Sequence, residues 1–233
     1  MSAADEKRAA GVKALDYVTE GTVIGLGTGS TAEEFVKALG AKVADGFQIT
    51  GVPTSEKTAE LATSLSIPLT TLEKAGHLAL TVDGADEADP QMRLIKGGGG
   101  ALLREKIVAA ASDAMVVIVD SGKQVGTLGA FPLPVEIVPF GAGVTADKIK
   151  AGIAAFGPGG EIDVTWRKAA DGSLFLTDGG HYIVDCAFGR IDDVEGLAGF
   201  LSTLPGVVDH GLFIGLASAL IVGRGTETEV IGA

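Results

Sequence analysis

Residues 115–119 read Met-Val-Val-Ile-Val, five apolar side chains in a row. Side chains alternate between the two faces of a strand, so a strand with no polar position must be covered on both sides. That points to a parallel sheet between layers of helix, and the first half of the chain supplies the other pieces. Residues 22–26 form a short apolar strand, followed by a glycine turn at 27–31 and a helical stretch with Phe35, Val36 and Leu39 on one side. The pattern predicts a second strand over 47–52, a second helix over 55–65 and a third strand over 78–82. An acidic loop follows, then four glycines at 97–100 that open a helix running to about residue 111. Such alternation implies right-handed crossovers.

The pattern changes near Phe131-Pro-Leu-Pro134. Strands are expected over 135–138, 162–167, 173–177 and 182–186, with helices over 145–156 and 194–204, which describes a small α+β module. After Pro205-Gly206, the apolar segments 211–215 and 218–222 are expected to return to the first sheet. The expected organisation is therefore an α/β domain built from 1–130 plus 205–233, with 131–204 as an inserted α+β domain.

The length, 233 residues, suits one large α/β domain with a smaller insert. A net charge of −12 leaves no basic surface for phosphate backbones, which argues against a nucleic-acid partner. The single cysteine, Cys186, excludes an intramolecular disulfide framework and fits a reducing compartment. Residues 1–11 are charged and Ala-rich, unlike a secretory signal. The longest apolar stretch, 212–222, is broken by Gly215 and Ser218 and falls short of the roughly 18 residues of a membrane span. The expectation is a soluble, cytoplasmic protein without a membrane partner.

Four segments carry candidate chemistry. Gly25-Leu-Gly27-Thr-Gly29-Ser30-Thr31 joins a strand to a helix start, where glycines admit a ligand and free N–H groups point at an anion. It is neither a dinucleotide fingerprint, since Ser30 stands where the third glycine belongs, nor a P-loop. The competing reading is a capping box of Thr31 with Glu34, and Glu33 and Glu34 oppose a bound anion at the same helix end. Asp83-Gly-Ala-Asp86-Glu87-Ala-Asp89 places four carboxylates in seven residues after a strand end. They need solvent, a metal or cationic and hydroxyl partners. Glu87 and Asp89 read as a solvated turn, and Asp83 as held in the site.

In Lys96-Gly-Gly-Gly-Gly100-Ala-Leu-Leu-Arg104-Glu105-Lys106, the glycine run fits close approach of backbone to ligand. On a helical wheel Glu105 is flanked by Ala101, Leu102, Val108 and Ala109, and Leu103, Ile107 and Ala110 are apolar too. The helix should be buried nearly all round. Desolvation would raise the Glu105 carboxyl and make it a better proton acceptor; a buried ion pair with a Lys or Arg is the other reading. Lys123 follows the 115–119 strand and is either a surface lysine or part of a shared edge onto which the strands before Gly27, Asp83, Lys96 and Ser121 open. His77, His181 and His210 show no metal-ligand spacing, and no Gly-x-Ser-x-Gly elbow occurs. Trp166, Tyr17 and Tyr182 read as packing residues.

Taken in order, these segments resemble the ribose-5-phosphate isomerase A family. The resemblance rests on residues 25–32, Thr54-Ser-Glu-Lys57, Asp83-Gly-Ala-Asp-Glu87, residues 96–106, Phe131-Pro-Leu-Pro-Val-Glu136 and Leu204-Pro-Gly-Val-Val-Asp-His-Gly-Leu-Phe213. It spans nearly the whole chain and implies a Rossmann-like parallel-sheet domain with an inserted α+β domain. It implies interconversion of ribose 5-phosphate and ribulose 5-phosphate through a cis-enediolate, in the non-oxidative pentose phosphate pathway, without metal or cofactor. Glu105 matches the family's catalytic base, with Asp83, Asp86 and Lys96 as further catalytic candidates. Substrate-binding segments match at Thr28, Gly29, Ser30 and Thr31; at Asp83, Gly84, Ala85 and Asp86; at Lys96, Gly97, Gly98 and Gly99; and at Lys123 and Lys7. A homodimer or tetramer is implied by the same analogy. The chain departs at Thr177-Asp-Gly-Gly-His181, where the family commonly has Thr-Asp-Asn-Gly-Asn.

Two other functions compete. A non-catalytic sugar-phosphate sensor would need only the anion loop. A CoA transferase would use a Glu as acyl nucleophile.

Overall fold

The computed structural model describes residues 2–232. Its first half runs α1 (Ala3–Lys13), β1 (Val23–Leu26), α2 (Ser30–Ala44), β2 (Thr50–Pro53), α3 (Glu56–Ser64), the single turn α4 (Leu72–Ala75), β3 (Leu80–Gly84), the short strands β4 (Glu87–Ala88) and β5 (Leu94–Ile95), α5 (Leu102–Ala110) and β6 (Met115–Asp120). The remainder runs β7 (Leu133–Ile137), α6 (Ala142–Ile153), β8 (Asp163–Trp166), β9 (Tyr182–Ala187), α7 (Val194–Thr203), β10 (Val207–His210), β11 (Leu212–Phe213), β12 (Ala219–Arg224) and β13 (Glu227–Gly232).

The largest sheet has the order β13-β12-β6-β3-β1-β2. All neighbours pair in parallel except the β12–β13 edge hairpin. Every residue of β6 is buried, as its composition requires. Val116 and Ile118 face a core with Phe35, Leu39 and Ala10, while Met115, Val117 and Val119 face Ala109, Phe213 and Leu220. The chain leaves β1 through α2 toward β2, and leaves β3 toward β6 on the other side. The connections therefore diverge between the ends of β1 and β3, where an open α/β sheet forms its ligand crevice.

A second, antiparallel sheet has the order β10-β7-β9-β8. One face, with Leu133, Val135, Ile137, Val184 and Cys186, packs on Ile149 and Ile153 of α6 and Leu197 and Leu201 of α7. The opposite face carries Pro134, Glu136 and Asp185. β10 closes this sheet, and β11 joins β5 and β4 in a small third sheet. The chain thus re-enters the large sheet only at β12, later than the 205 boundary expected from sequence.

Other local expectations are corrected too. Residues 173–177 form no strand, only a bridge between Lys168 and Leu174. The segment leaves the ladder, and its Phe175 ring sits where a Cβ on Gly100 would be 2.4 Å away. Ile107 is 47% exposed, so α5 is not buried all round. Glu87 and Asp89 are buried rather than solvated. Glu87 accepts from the Gly129 and Phe131 N–H groups, both at 2.6 Å; Asp89 accepts from the Gln91 and Arg93 N–H groups and pairs with the Arg93 guanidinium at 2.6 Å. These donors replace water. Among the described residues no helix is long and apolar enough to cross a membrane.

Candidate active site

α2 begins after Gly29, whose φ of 104° favours glycine, and has no side-chain cap. The expected Thr31–Glu34 capping box is absent: Glu34 pairs with Lys37 at 2.7 Å and Arg8 at 3.7 Å, and Glu33 pairs with Lys57 at 2.6 Å. The two carboxylates that opposed an anion are therefore held by lysines and arginine. The free first-turn N–H groups face a cavity of about 500 Å³, counting its open mouth. Lys7 donates to Ser30 Oγ at 2.9 Å, and Lys123 also lines the cavity. Thr28 is fixed from below, its hydroxyl lying 2.7, 2.8 and 3.1 Å from those of Thr54, Ser55 and Thr58.

Opposite this anion loop, Lys96, Gly97, Gly98, Gly99 and Glu105 line the same cavity, together with Gly84, Ala85 and Asp86. Every residue proposed for the site from sequence lies on the cavity wall except Asp83. Asp83 is fully buried behind it, accepting from the Thr28 N–H at 3.0 Å and the Gly84 N–H at 2.7 Å. Its closeness also explains Gly27, where a Cβ would meet Asp83 Oδ1 at 2.2 Å. Lys96 follows β5 of the small antiparallel sheet, so only the strands before Gly27, Asp83 and Ser121 share the parallel edge.

The Lys96 ammonium is buried among three acceptors: Gly84 O at 2.5 Å, Asp83 Oδ2 at 3.0 Å and Glu105 Oε2 at 3.3 Å. Burial pulls its pKa down, but the carboxylates of Asp83, Glu105 and Asp86 outweigh this and leave it raised. It stays charged. One cation then faces two buried carboxyls. Burial raises Asp83, against the opposing pull of Lys96 and two backbone donors. Glu105 has no backbone donor of this kind; burial, only partly offset by Lys96 and reinforced by Asp83 and Asp86, raises it to about 8. Of the two, Glu105 is the one with no backbone donor to hold its charge. Both sequence readings of Glu105 are thus met in one geometry, a buried ion pair and an unusually basic carboxyl. α5 starts at Leu102 rather than at Gly100, which sets Glu105 within the first turn and a half.

The glycine run is locally determined. A Cβ at Gly97 would meet Leu102 Cβ at 2.8 Å, and one at Gly98 would meet Asp86 Oδ1 at 2.6 Å. At Gly99 the nearest atom would be Thr28 Cγ2 at an ordinary 3.5 Å, so its smallness serves the cavity and not the protein's own packing.

The Ribose 5-phosphate isomerase A (phosphoriboisomerase A) family profile matches residues 50–227. The chain belongs to the ribose 5-phosphate isomerase A family. It is 58% identical over 234 residues to ribose-5-phosphate isomerase A of Parvibaculum lavamentivorans (strain DS-1), covering 100% of both chains. It is 58% identical to that of Brucella suis biovar 1 over 221 residues, covering 95% and 94%. A solved D-ribose-5-phosphate isomerase in complex with phospho-erythronic acid superposes with a TM-score of 0.92 at 34% identity, covering 100% of both chains. The Methanocaldococcus jannaschii ribose 5-phosphate isomerase A gives 0.90 at 34% identity, again covering 100% of both. The family thus shares the α/β architecture described above across its whole length.

Sequence reasoning missed several supporting groups. α1 carries a capping box of Ser2 with Asp5, a legible signal, and its Glu6 accepts from the Ser121 and Gly225 N–H groups at 2.9 and 3.2 Å. The divergent Thr177–His181 turn also holds the modules together. Asp178 accepts from the Glu56 N–H at 3.0 Å, and Arg104 pairs with Glu56 at 2.8 Å and Asp178 at 3.5 Å. His181 meets the buried Glu136 at 2.9 Å. No local pattern announced these long-range pairings.

Proposed function

We propose that this chain interconverts D-ribose 5-phosphate and D-ribulose 5-phosphate, with Glu105 as the general base. The observation that carries the reading is a buried carboxyl, raised to about 8, between a glycine loop and an uncapped helix end in one cavity. The phosphate binds the α2 N-terminus at Gly29, Ser30 and Thr31, with Lys7 and Lys123 supplying charge. That anchors the sugar's far end and orients its carbonyl end toward Glu105. Glu105 removes a proton from the carbon next to the carbonyl and returns it to the neighbouring carbon on the same face. This transfer requires no second base and no metal. Negative charge grows on the former carbonyl oxygen, where Lys96 and the glycine-loop N–H groups stabilise the cis-enediolate. Asp86, on the cavity wall, moves hydroxyl protons; Asp83, behind it, keeps Lys96 charged and Thr28 in place.

The phospho-erythronic acid bound to the solved relative has the same layout, a phosphate at one end and a planar charged group at the other. We further infer a cytoplasmic homo-oligomer in the non-oxidative pentose phosphate pathway. Supporting this are a lone buried thiol and the exposed Phe140 and Val144, apolar groups that a subunit contact would cover. The test is an isomerase assay on purified, chelator-treated protein. Formation of ribulose 5-phosphate is expected; binding without turnover would favour a sensor.

A further inference from the structure

Four neighbouring glycines give a peptide segment wide freedom, yet the cavity needs its N–H groups in fixed directions. The restraint comes from the second module. Arg167 follows β8, and its guanidinium donates through Nη1 to Gly97 O at 2.6 Å and Gly98 O at 3.3 Å. The guanidinium is itself oriented by Asp185 of β9, through Nε at 3.0 Å and through Nη2. The register pairs Thr165 with Asp185, so Arg167 lies diagonally across from Asp185 on the same sheet face, within reach of a long side chain. Only part of this pair meets solvent; the side chains are 13% and 20% exposed.

Each of those carbonyls shares a rigid peptide plane with the next residue's N–H. Holding Gly97 O fixes the Gly98 N–H, which donates to Asp86 Oδ2 at 2.7 Å on the cavity wall. Holding Gly98 O fixes the Gly99 N–H, which has no partner among the described residues. Gly99 lines the cavity, and Gly97 O also accepts from the Gly100 N–H at 3.0 Å, closing the turn. A cation on the carbonyl side also polarises each plane and strengthens its N–H as a donor.

We propose that Arg167, braced by Asp185, is a positioning residue for the isomerisation: from the inserted module it locks the Gly97–Gly98 and Gly98–Gly99 peptides so that the Gly99 N–H meets the developing oxyanion. The proposal rests on the isomerase reading above. It assigns the inserted module a part in the chemistry without contact to substrate.

The experiment compares wild type, Arg167→Ala, Arg167→Lys and Asp185→Asn as full chains. It measures kcat, KM, thermal midpoint, and the affinities for phospho-erythronic acid and inorganic phosphate. In Arg167→Ala, kcat should fall about 100-fold, the scale of a misplaced reacting group. Phospho-erythronic acid should weaken in parallel, while inorganic phosphate binds as in wild type. Added guanidinium should restore part of kcat in Arg167→Ala. Arg167→Lys keeps a cation at the interface, so it should fold normally but stay well below wild-type kcat, since an ammonium cannot hold both carbonyls and both Asp185 oxygens. Equal weakening of both ligands, or wild-type kcat in the folded Arg167→Lys variant, would overturn the role. A wild-type chain that binds phospho-erythronic acid without isomerising ribose 5-phosphate would instead overturn the functional reading, and the wild-type control alone reveals that.

Discussion

Glu105 Oε2 lies 3.3 Å from Lys96 Nζ, and both groups are buried. The same ammonium lies 3.0 Å from Asp83 Oδ2, so a single cation serves two carboxyls. The pair therefore tunes the acidity of Glu105 as well as joining two segments. Burial keeps Glu105 basic, and Lys96 limits how far it rises.

The first consequence is a pH profile. The folded pKa of Glu105, about 8, lies above its ordinary 4.5, so the fold favours the neutral acid. Its contribution to stability is complete below about pH 4.5 and is lost as pH rises through about 8. Activity runs the other way, because the base must be ionised. kcat/KM should rise with unit slope and level off above about pH 8. A profile already flat from about pH 6 upward would contradict this assignment.

Lys96→Met removes the cation that stabilises the Glu105 carboxylate and, in the proposed mechanism, the enediolate. Turnover should fall by at least about 100-fold. The rising limb of kcat/KM should also move to higher pH, since Glu105 loses its one opposing influence. An unmoved limb would show that Lys96 does not tune Glu105.

Much of this was legible in the chain, for physical reasons. β6 had no polar position and had to be sandwiched, and Phe35, Val36 and Leu39 are all fully buried as their helical spacing required. Glu105 stood out because it was the one acid among apolar neighbours on its helical face. Most of the misreadings have a common cause. Glu87 looked solvated because its partners, the Gly129 and Phe131 N–H groups, lie in a distant loop whose approach no local pattern encodes, whereas Asp89 folds back on its own turn, onto the Gln91 and Arg93 N–H groups and the Arg93 guanidinium. β11, within the 211–215 segment, was expected in the large sheet but pairs with β5, because an apolar strand does not name its partner. Arg167 was invisible for the same reason: nothing in 163–167 points to a glycine loop 70 residues earlier.

Gly99→Ala separates packing from ligand space. Its Cβ would make only an ordinary contact with Thr28, so the thermal midpoint should stay level or rise slightly. KM for ribose 5-phosphate should increase about tenfold or more, about 1.4 kcal/mol in binding. Gly98→Ala, whose Cβ meets Asp86 Oδ1 at 2.6 Å, should lower both stability and activity. Unchanged KM in Gly99→Ala would remove that glycine from the substrate's path.

Lys7→Ala and Lys123→Ala test the phosphate end. Each should raise KM and weaken competitive inhibition by inorganic phosphate in parallel, with a shallower dependence on salt. A loss confined to kcat, with phosphate inhibition intact, would place these lysines elsewhere in the reaction.

The central claim is that Glu105 carries the proton, and the kinetics of Glu105→Gln address it most directly. The amide keeps the shape of the protonated acid but cannot accept a proton. kcat should fall by about 1,000-fold or more, with phospho-erythronic acid bound as tightly as by wild type. Turnover within about tenfold of wild type would contradict the account, because general-base loss is expected to exceed that margin.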